Sequence, residues 1–299
     1  MRIATRKSPL AIYQAELVKE TIEKNYKNIS CTLIPMISQG DELSGPLETH
    51  GGKGLFIGNL ERALQENKAD IAVHSLKDVP AILAEEFSIV ATLPREDHRE
   101  FFLSPNNLKL TSEPLRIGSS SPRRKAQLLH INSKHSITPI RGNINTRINA
   151  ISELSLDGIM VARAALNRLN IKDLGYILDI NEMMPSASQG AIGIEVLKSH
   201  YSDELRQIME TINCQNTFRA THIERIFVAS MQGDCNSPMG CFCEIKDDVI
   251  NFSYQLLSLD GSQQVTNTLH YHKDKFMQEL EKEIEMLYSS GKQSIIYDH

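Results

Sequence analysis

Short apolar runs alternate with segments of helical periodicity along most of the chain. The apolar runs have the length of buried strands, and they fall at residues 2–5, 32–36, 71–73, 89–91, 115–118, 158–161 and 191–195. Between them, apolar side chains recur at helical spacing, notably in residues 10–22, 60–66 and 165–169. Strands that alternate with helices in this way predict an α/β fold with mainly parallel sheets.

The pattern changes beyond about residue 212. A helical segment at residues 216–230 is followed by strand-like segments at 252–259 and 266–272, and then by a charged helix at 274–289. Neighbouring strands grouped apart from the helices are typical of a small α+β unit. We therefore predict a third domain in this part of the chain.

Two strand–turn–helix units share one design. Ser8-Pro9 follows the first strand, and Ser121-Pro122 follows the strand at residues 115–118. A serine in this position caps the helix, and a proline is tolerated as the first helical residue because its missing N–H would have no partner there. Both helix starts lie beside arginines, so both are predicted to bind anions.

Charge is distributed unevenly along the chain. The net charge of the 299 residues is −5, which gives no reason to expect a nucleic-acid partner. Residues 114–152 nevertheless contain no Asp or Glu, and they carry Arg116, Arg123, Arg124, Lys125, Lys134, Arg141 and Arg147. A positive field within an acidic chain indicates a binding role. We expect this stretch to face the basic N-terminal residues across a cleft.

The chain has the features of a cytoplasmic protein. No apolar run approaches the ~18–20 residues of a membrane span, and the N-terminal residues lead into no signal-peptide core. The five cysteines form an odd set, which indicates thiols rather than a disulfide framework.

Cys235 is the cysteine with the clearest chemical context. It lies in the turn-rich segment 232–238, which is expected to expose the thiol and makes it a candidate nucleophile. Two alternatives stay open: an unreactive thiol, and a metal site with Cys214, Cys241 and Cys243. The spacing of these cysteines matches no standard zinc pattern.

Two further segments carry candidate chemistry. Residues 74–80 directly follow an apolar strand, at the strand end where open α/β sheets bind ligands, so Asp78 is a candidate acid–base group. The alternative is a solvated turn in which Lys77 and Asp78 form a surface pair. Residues 51–54 are glycine-rich and include Lys53, but they lack the spacing of a phosphate-binding loop, and an ordinary flexible loop is the simpler interpretation.

Taken together, these segments resemble the hydroxymethylbilane synthase (porphobilinogen deaminase) family. The matching motifs run in order along the chain: IATRKSPLA at 3–11, GGKGLF at 51–56, ADIAVHSLKDVP at 69–80, SSSPRR at 119–124, RGN at 141–143 with Arg147, SQGA at 188–191 and the Cys235 loop. The resemblance implies a transferase that condenses four porphobilinogen molecules, with loss of ammonia, onto a dipyrromethane cofactor and then releases hydroxymethylbilane by hydrolysis. Because that cofactor is built from substrate-derived units, no metal is implied.

The resemblance also implies roles for individual residues. Asp78 is expected to be the catalytic carboxylate, and Cys235 is expected to carry the cofactor through a thioether. Porphobilinogen bears acetate and propionate groups, which suit the two-pronged guanidinium groups of arginines. The residues implied to bind the cofactor and the growing chain are Arg6, Ser8, Lys53, Phe56, Lys77, Ser119, Ser120, Ser121, Arg123, Arg124, Arg141, Gly142, Arg147, Arg168 and Gln189.

The implied fold has three domains, of which the first two are similar to periplasmic binding proteins. On this sequence the resemblance implies residues 1–94 with 189–211 as the first domain, 95–188 as the second, and 212–299 as the third, which carries the Cys235 loop. A monomer without membrane or nucleic-acid partners is expected.

The sequence departs from the family pattern near two motifs. Asp234 and Ser237 replace a small residue and an Ile, Val or Thr around Cys235, and an extra carboxylate there would disfavour the thiolate and slow cofactor attachment. Ala165 replaces a usual glycine, and Arg163 is an uncommon basic residue. Two rival classes stay open: a solute-binding module for an anionic ligand, which would need neither Asp78 nor a modified Cys235, and an inactive homologue whose altered Cys235 loop takes no cofactor.

Overall fold

The computed structural model describes residues 1–37, 57–111, 113–172, 174–234 and 236–297. The chain divides into two compact units. The first unit is Met1–Asp97 with Gly190–Arg219, and the second unit is His98–Gln189 with Ala220–His299. The three-domain boundaries stated above stay predictions.

A five-stranded sheet forms the centre of the first unit. Its strands are β1 (Arg2–Arg6), β2 (Thr32–Met36), β3 (Ile71–Ser75), β4 (Phe87–Thr92) and β10 (Ile192–Leu197). The order is β2-β1-β3-β10-β4. β1 runs parallel to both of its neighbours, whereas β10 runs antiparallel between β3 and β4.

Helices cover both faces of this sheet. They are α1 (Pro9–Asn25), α2 (Gly58–Gln65) and α6 (Asp203–Ile212). Ile3 packs in the cluster that includes α1 and α6, and its neighbour Ala4 packs with α2. Because successive strand residues point to opposite faces, a strand covered on both sides reads as a continuous apolar run. This is why β1 and β3 are recognisable in the sequence.

The second unit contains a sheet of the same design. Its strands are β5 (Glu100–Leu103), β6 (Arg116–Gly118), β7 (Ser136–Thr138), β8 (Gly158–Ala162) and β9 (Gly175–Leu178), in the order β7-β6-β8-β5-β9. β6 is parallel to both neighbours, and β5 is antiparallel to β8 and β9. Its helices are α3 (Pro122–Ile131), α4 (Ile144–Glu153) and α5 (Arg163–Arg168).

The last part of the chain forms a three-stranded antiparallel sheet. Its strands are β11 (Met239–Lys246), β12 (Val249–Leu257) and β13 (Gln264–His272), and the helices of this region are α7 (Gln215–Ser230) and α8 (Lys273–Ser289). Phe227, Phe252 and Tyr254 are among the side chains of its core. The predicted fold class, α/β with a small α+β part, is confirmed; each five-stranded sheet combines two parallel strand pairings with two antiparallel ones.

Some elements were absent from the sequence-based predictions. β5, β7, β9, α4 and α6 were not identified. β7 and β9 are short and half-exposed, so they lack a distinct apolar pattern, whereas β5 is an apolar run headed by Glu100. Within the described part of the chain, no helix combines the length and the apolar character needed to cross a bilayer.

Candidate active site

Arg6 and Asp78 meet at one edge of the first sheet. β1 and β3 are parallel neighbours, so their carboxyl ends lie side by side. β1 ends in Arg6, and β3 leads directly into a 3-10 turn, Leu76–Asp78. Arg6 Nη1 lies 3.7 Å from Asp78 Oδ2, and 37% of the Asp78 side chain is exposed. The result is an accessible carboxylate beside a cation.

Polar groups of α1 and β3 surround this pair. Ser8 Oγ caps α1 by accepting a hydrogen bond from the Ala11 backbone N at 3.4 Å, as predicted, and Ser75 Oγ donates to Gln14 Oε1 at 2.9 Å. A cavity here is lined by Arg6, Ser8, Leu10, Ala11, Gln14, Ile57, Val73, His74, Ser75 and Asp78. Asp78 therefore forms an ion pair with Arg6, a residue of the neighbouring strand. The alternative of a surface pair named Lys77 as the partner, and Lys77 is half-buried.

A buried histidine–carboxylate pair adjoins the cavity. His74 Nε2 lies 2.8 Å from Glu195 Oε2, and both side chains are buried. The second oxygen, Glu195 Oε1, has no hydrogen-bond partner among the described residues. Burial and the Glu195 carboxylate together raise the pKa of Glu61, on α2, to about 7. This group was not predicted; its one signal in the sequence is a glutamate inside the apolar strand β10.

The serine turn of the second unit is ordered by its own hydroxyl groups. Ser121 Oγ caps α3 by accepting from the Arg124 backbone N at 3.4 Å, and Ser119 Oγ accepts from the Ser121 backbone N at 3.3 Å. Ser120 Oγ donates to the Ile140 carbonyl at 2.7 Å. This last bond ties the turn to the loop that precedes α4, so the two predicted binding segments lie together.

That second loop contains Arg141, Gly142 and Arg147. Gly142 has a φ of +98°, and a Cβ added there would lie 2.8 Å from the Thr146 side chain, so glycine is required. Arg147 Nε donates to the Gly142 carbonyl at 2.8 Å. Arg141 is exposed and Arg147 half-buried, which leaves both within reach of a dissolved anion.

Arg123 and Arg124 are buried and paired with a carboxylate. Arg123 Nη2 lies 2.5 Å from Glu100 Oε1, and Arg124 Nη2 lies 2.7 Å from Glu100 Oε2. Burial lowers the pKa of Arg123, while the Glu100 charge acts in the opposite direction. The positive charge of the acid-free stretch is therefore compensated at these two positions, because Glu100, from elsewhere in the sequence, supplies the negative charge. Binding of cofactor or substrate by these arginines stays a prediction.

Arg168 and Gln189 are also buried. Arg168 is the last residue of α5, and Gln189 Nε2 donates to the His98 carbonyl at 2.9 Å. The neighbouring Ser188 has a left-handed φ of +62°, and its backbone N donates to Glu224 Oε2 at 2.5 Å. Nothing in the sequence indicated that Glu224, from α7, holds this segment.

Lys53, Phe56 and Cys235 lie outside the described residues, but the residues on either side of Cys235 are described. Asp234 Oδ1 accepts hydrogen bonds from the Asn236 backbone N at 2.8 Å and from Ser237 Oγ at 3.3 Å. Ser237 Oγ in turn accepts from the Asp234 backbone N at 3.0 Å. The two departures from the family pattern are thus bonded to each other.

The other departures lie on a regular helix. Ala165 is a residue of α5, where alanine is the most favourable residue, so glycine is not required at this position. The Arg163 guanidinium lies over the Phe101 ring, 5.2 Å from its centroid. Both departures are therefore compatible with a regular helix.

Cys241 and Cys243 are buried on the same side of β11, within the core of the third sheet. Among the residues that the structure describes, no three His, Cys, Asp or Glu side chains are arranged to hold a metal ion.

An accessible carboxylate in one α/β unit and ordered arginine and serine groups in the other are the features expected of the class of α/β enzymes that act on acidic substrates. The family model described as "Porphobilinogen deaminase, dipyromethane cofactor binding domain" matches residues 1–204. The porphobilinogen deaminase of Campylobacter concisus (strain 13826) is 39% identical over 284 residues, covering 92% of this chain and 90% of that protein. The one from Clostridium botulinum (strain 657 / Type Ba4) is 41% identical over 253 residues, covering 83% and 86%.

The chain belongs to the porphobilinogen deaminase family, which confirms the resemblance read from the motifs. It is a transferase of porphyrin biosynthesis that condenses porphobilinogen on a dipyrromethane cofactor to form hydroxymethylbilane. Among solved structures, a TRAP periplasmic solute binding protein from Citrobacter koseri has a TM-score of 0.45 and 11% identity, over 75% of this chain and 80% of that chain. A similarity this low carries no inference about a ligand.

Proposed function

We propose that Asp78 is the acid–base group of the condensation. The observation that carries this proposal is its position: an accessible carboxylate at the carboxyl end of a parallel strand, 3.7 Å from Arg6 Nη1. Open α/β sheets bind their ligands at this edge, and the neighbouring cavity is lined by hydroxyl and amide groups.

The chemistry requires a carboxylate of this kind. The amine of porphobilinogen must gain a proton to leave as ammonia, and a proton must later leave the ring carbon that forms the new bond. Asp78 would donate the first proton and accept the second, and its charge would stabilise the cationic substrate between these steps. Arg6, at its side, would orient the carboxylate and attract the acidic groups of the substrate.

The remaining polar residues are proposed to hold the cofactor and the growing chain. The dipyrromethane, attached to Cys235, supplies the anchored pyrrole to which new units are added. The donor set of the second unit fits such a group, since Arg141 and Arg147 are accessible cations and Arg124 Nε is a buried donor without a described acceptor. Fixed guanidinium groups suit carboxylates because they keep their charge and bind both oxygens.

The hydrogen-bonded turn at Asp234 and Ser237 supports an active rather than a cofactor-free homologue. The Asp234 carboxylate is engaged by an amide and a hydroxyl donor, which offsets part of its effect on a neighbouring thiolate. We further propose that the protein acts as a monomer in the cytoplasm, which light scattering and cell fractionation would test.

Intact-mass spectrometry of the purified protein tests the attachment site. The wild-type mass should exceed that of the sequence by one dipyrromethane, and Cys235→Ser should lack the increment. Cys214→Ser is the matched control, because Cys214 is a partly accessible thiol of the described chain, and it should keep the increment. An unmodified wild type would contradict the proposal, and loss of the increment in the control instead would move the attachment to Cys214.

A further inference from the structure

Glu100 joins two arginines at the centre of the second unit. It is the first residue of β5, which runs between β8 and β9, and none of its side chain is exposed. Each carboxylate oxygen accepts a hydrogen bond from a guanidinium nitrogen, one from Arg123 at 2.5 Å and the other from Arg124 at 2.7 Å. Adjacent residues of one helix therefore converge on a single acceptor from another element.

Backbone carbonyls hold the other terminal nitrogen of each arginine. Arg123 Nη1 donates to the Met184 carbonyl at 2.6 Å, and Arg124 Nη1 donates to the Met160 carbonyl at 2.9 Å. Each guanidinium group is thus held by two hydrogen bonds, one to the Glu100 carboxylate and one to a backbone carbonyl. Arg124 Nε, in contrast, is buried and has no acceptor among the described residues. A buried donor without an acceptor costs free energy unless a molecule bound to the protein accepts its hydrogen bond.

The charges of this group do not cancel. Counted by themselves, Arg123, Arg124 and Glu100 carry one net positive charge, and all three side chains are buried. Without Glu100, the two cations would repel each other in a medium of low dielectric constant. Stability alone gives a weak reason for such a group, because buried ion triads can be replaced by apolar residues with little loss.

We propose that Glu100 is a positioning residue for the reaction: it holds Arg123 and Arg124 so that their remaining donors, Arg124 Nε among them, receive a carboxylate of the cofactor or growing chain. This inference rests on the proposed binding role of these arginines. One retained positive charge attracts the acidic ligand, while the carboxylate keeps both guanidinium groups in place before the ligand arrives. Such preorganisation lowers the cost of binding.

The test compares Glu100→Gln with Leu128→Ala. Glu100→Gln keeps the size of the side chain but removes the charge that orients both arginines. Leu128 lies on α3, the helix that carries them, but its side chain packs in an apolar cluster, so its replacement destabilises the same helix without touching the charges. Cofactor increment by intact mass, melting temperature, KM and kcat for porphobilinogen, and the ladder of enzyme-bound chain lengths are measured for both.

We expect Glu100→Gln to raise KM roughly tenfold, the effect of one misplaced charged hydrogen bond, or to lose cofactor, and to accumulate shorter bound chains. Leu128→Ala should lose melting temperature but keep its KM, cofactor increment and chain ladder. Glu100→Asp, which retains the charge, should recover part of the wild-type behaviour, and it replaces Glu100→Gln in the comparison if that variant does not fold.

A Glu100→Gln protein that loses only melting temperature, as the control does, would overturn the inference and leave Glu100 a structural residue. A wild-type protein without the cofactor increment would instead contradict the proposed function, so the two failures are distinguishable.

Discussion

Replacing Asp78 with asparagine separates its chemical role from its role as an ion-pair partner. The variant keeps the size of the side chain and some hydrogen bonding, but it removes the charge and the proton-accepting oxygen. If Asp78 acts on the transition state, turnover should fall by ~10²–10⁴-fold, the range of a general acid–base group. At 1.36 kcal/mol per decade, this is a loss of ~2.7–5.4 kcal/mol in transition-state stabilisation.

The ion pair with Arg6 alone would contribute a much smaller free energy, and its size follows from the structure. At the 3.7 Å separation of Arg6 and Asp78, two unit charges attract by about 1 kcal/mol in water-like surroundings. With 37% of the Asp78 side chain exposed, solvent screening and side-chain entropy reduce the contribution to folding to ~0–1 kcal/mol. The variant should therefore remain folded while losing nearly all turnover.

Asp70→Asn is a matched control. Asp70 precedes β3 and pairs with Arg2 of β1, so this ion pair joins the same two strands at their other end, with a similar exposure of the carboxylate. The assay is porphobilinogen consumption per cofactor-loaded protein, with loading measured by intact mass. The control should lose some melting temperature and keep its turnover. If Asp78→Asn stayed within about threefold of wild type with cofactor present, a difference of only ~0.65 kcal/mol, the assignment of Asp78 would be refuted.

Two further predictions concern polar groups outside the proposed catalytic pair. Asp234→Ala and Ser237→Ala should destabilise the protein non-additively, with a coupling free energy on the order of 1 kcal/mol in a double-mutant cycle of urea unfolding; additive losses would show that the hydrogen bond between the two side chains contributes nothing. The Glu61 carboxyl has a folded-state pKa of about 7 against 4.5 ordinarily, so the native state holds a proton that the unfolded state releases, and stability should decline as pH rises from about 4.5 to 7. Glu61→Gln should flatten this decline in melting scans at several pH values and raise stability at pH 8, whereas an unchanged pH profile would contradict the shifted pKa.

Local sequence determined much of the fold and the identity of the family. Ser8 and Ser121 act as helix caps because capping needs only a hydroxyl and an amide three residues away, and both were predictable from Ser-Pro after a strand. β3 was predictable from its apolar residues 71–73, because a strand covered on both faces reads as a continuous apolar run. The motifs that resemble the family are contiguous segments for the same reason: each forms one turn or loop.

Tertiary structure alone decided the partners of the charged residues. Arg6 and Asp78 are 72 positions apart, and His74 and Glu195 are separated by 121, so their pairing depends on which strands become neighbours in a sheet. Glu100 was hidden at the head of an apolar run, and only the antiparallel placement of β5 brings it to Arg123 and Arg124. The absence of Asp and Glu from residues 114–152 therefore does not by itself give the electrostatic field around these residues. Charges compensate one another through space and not along the chain.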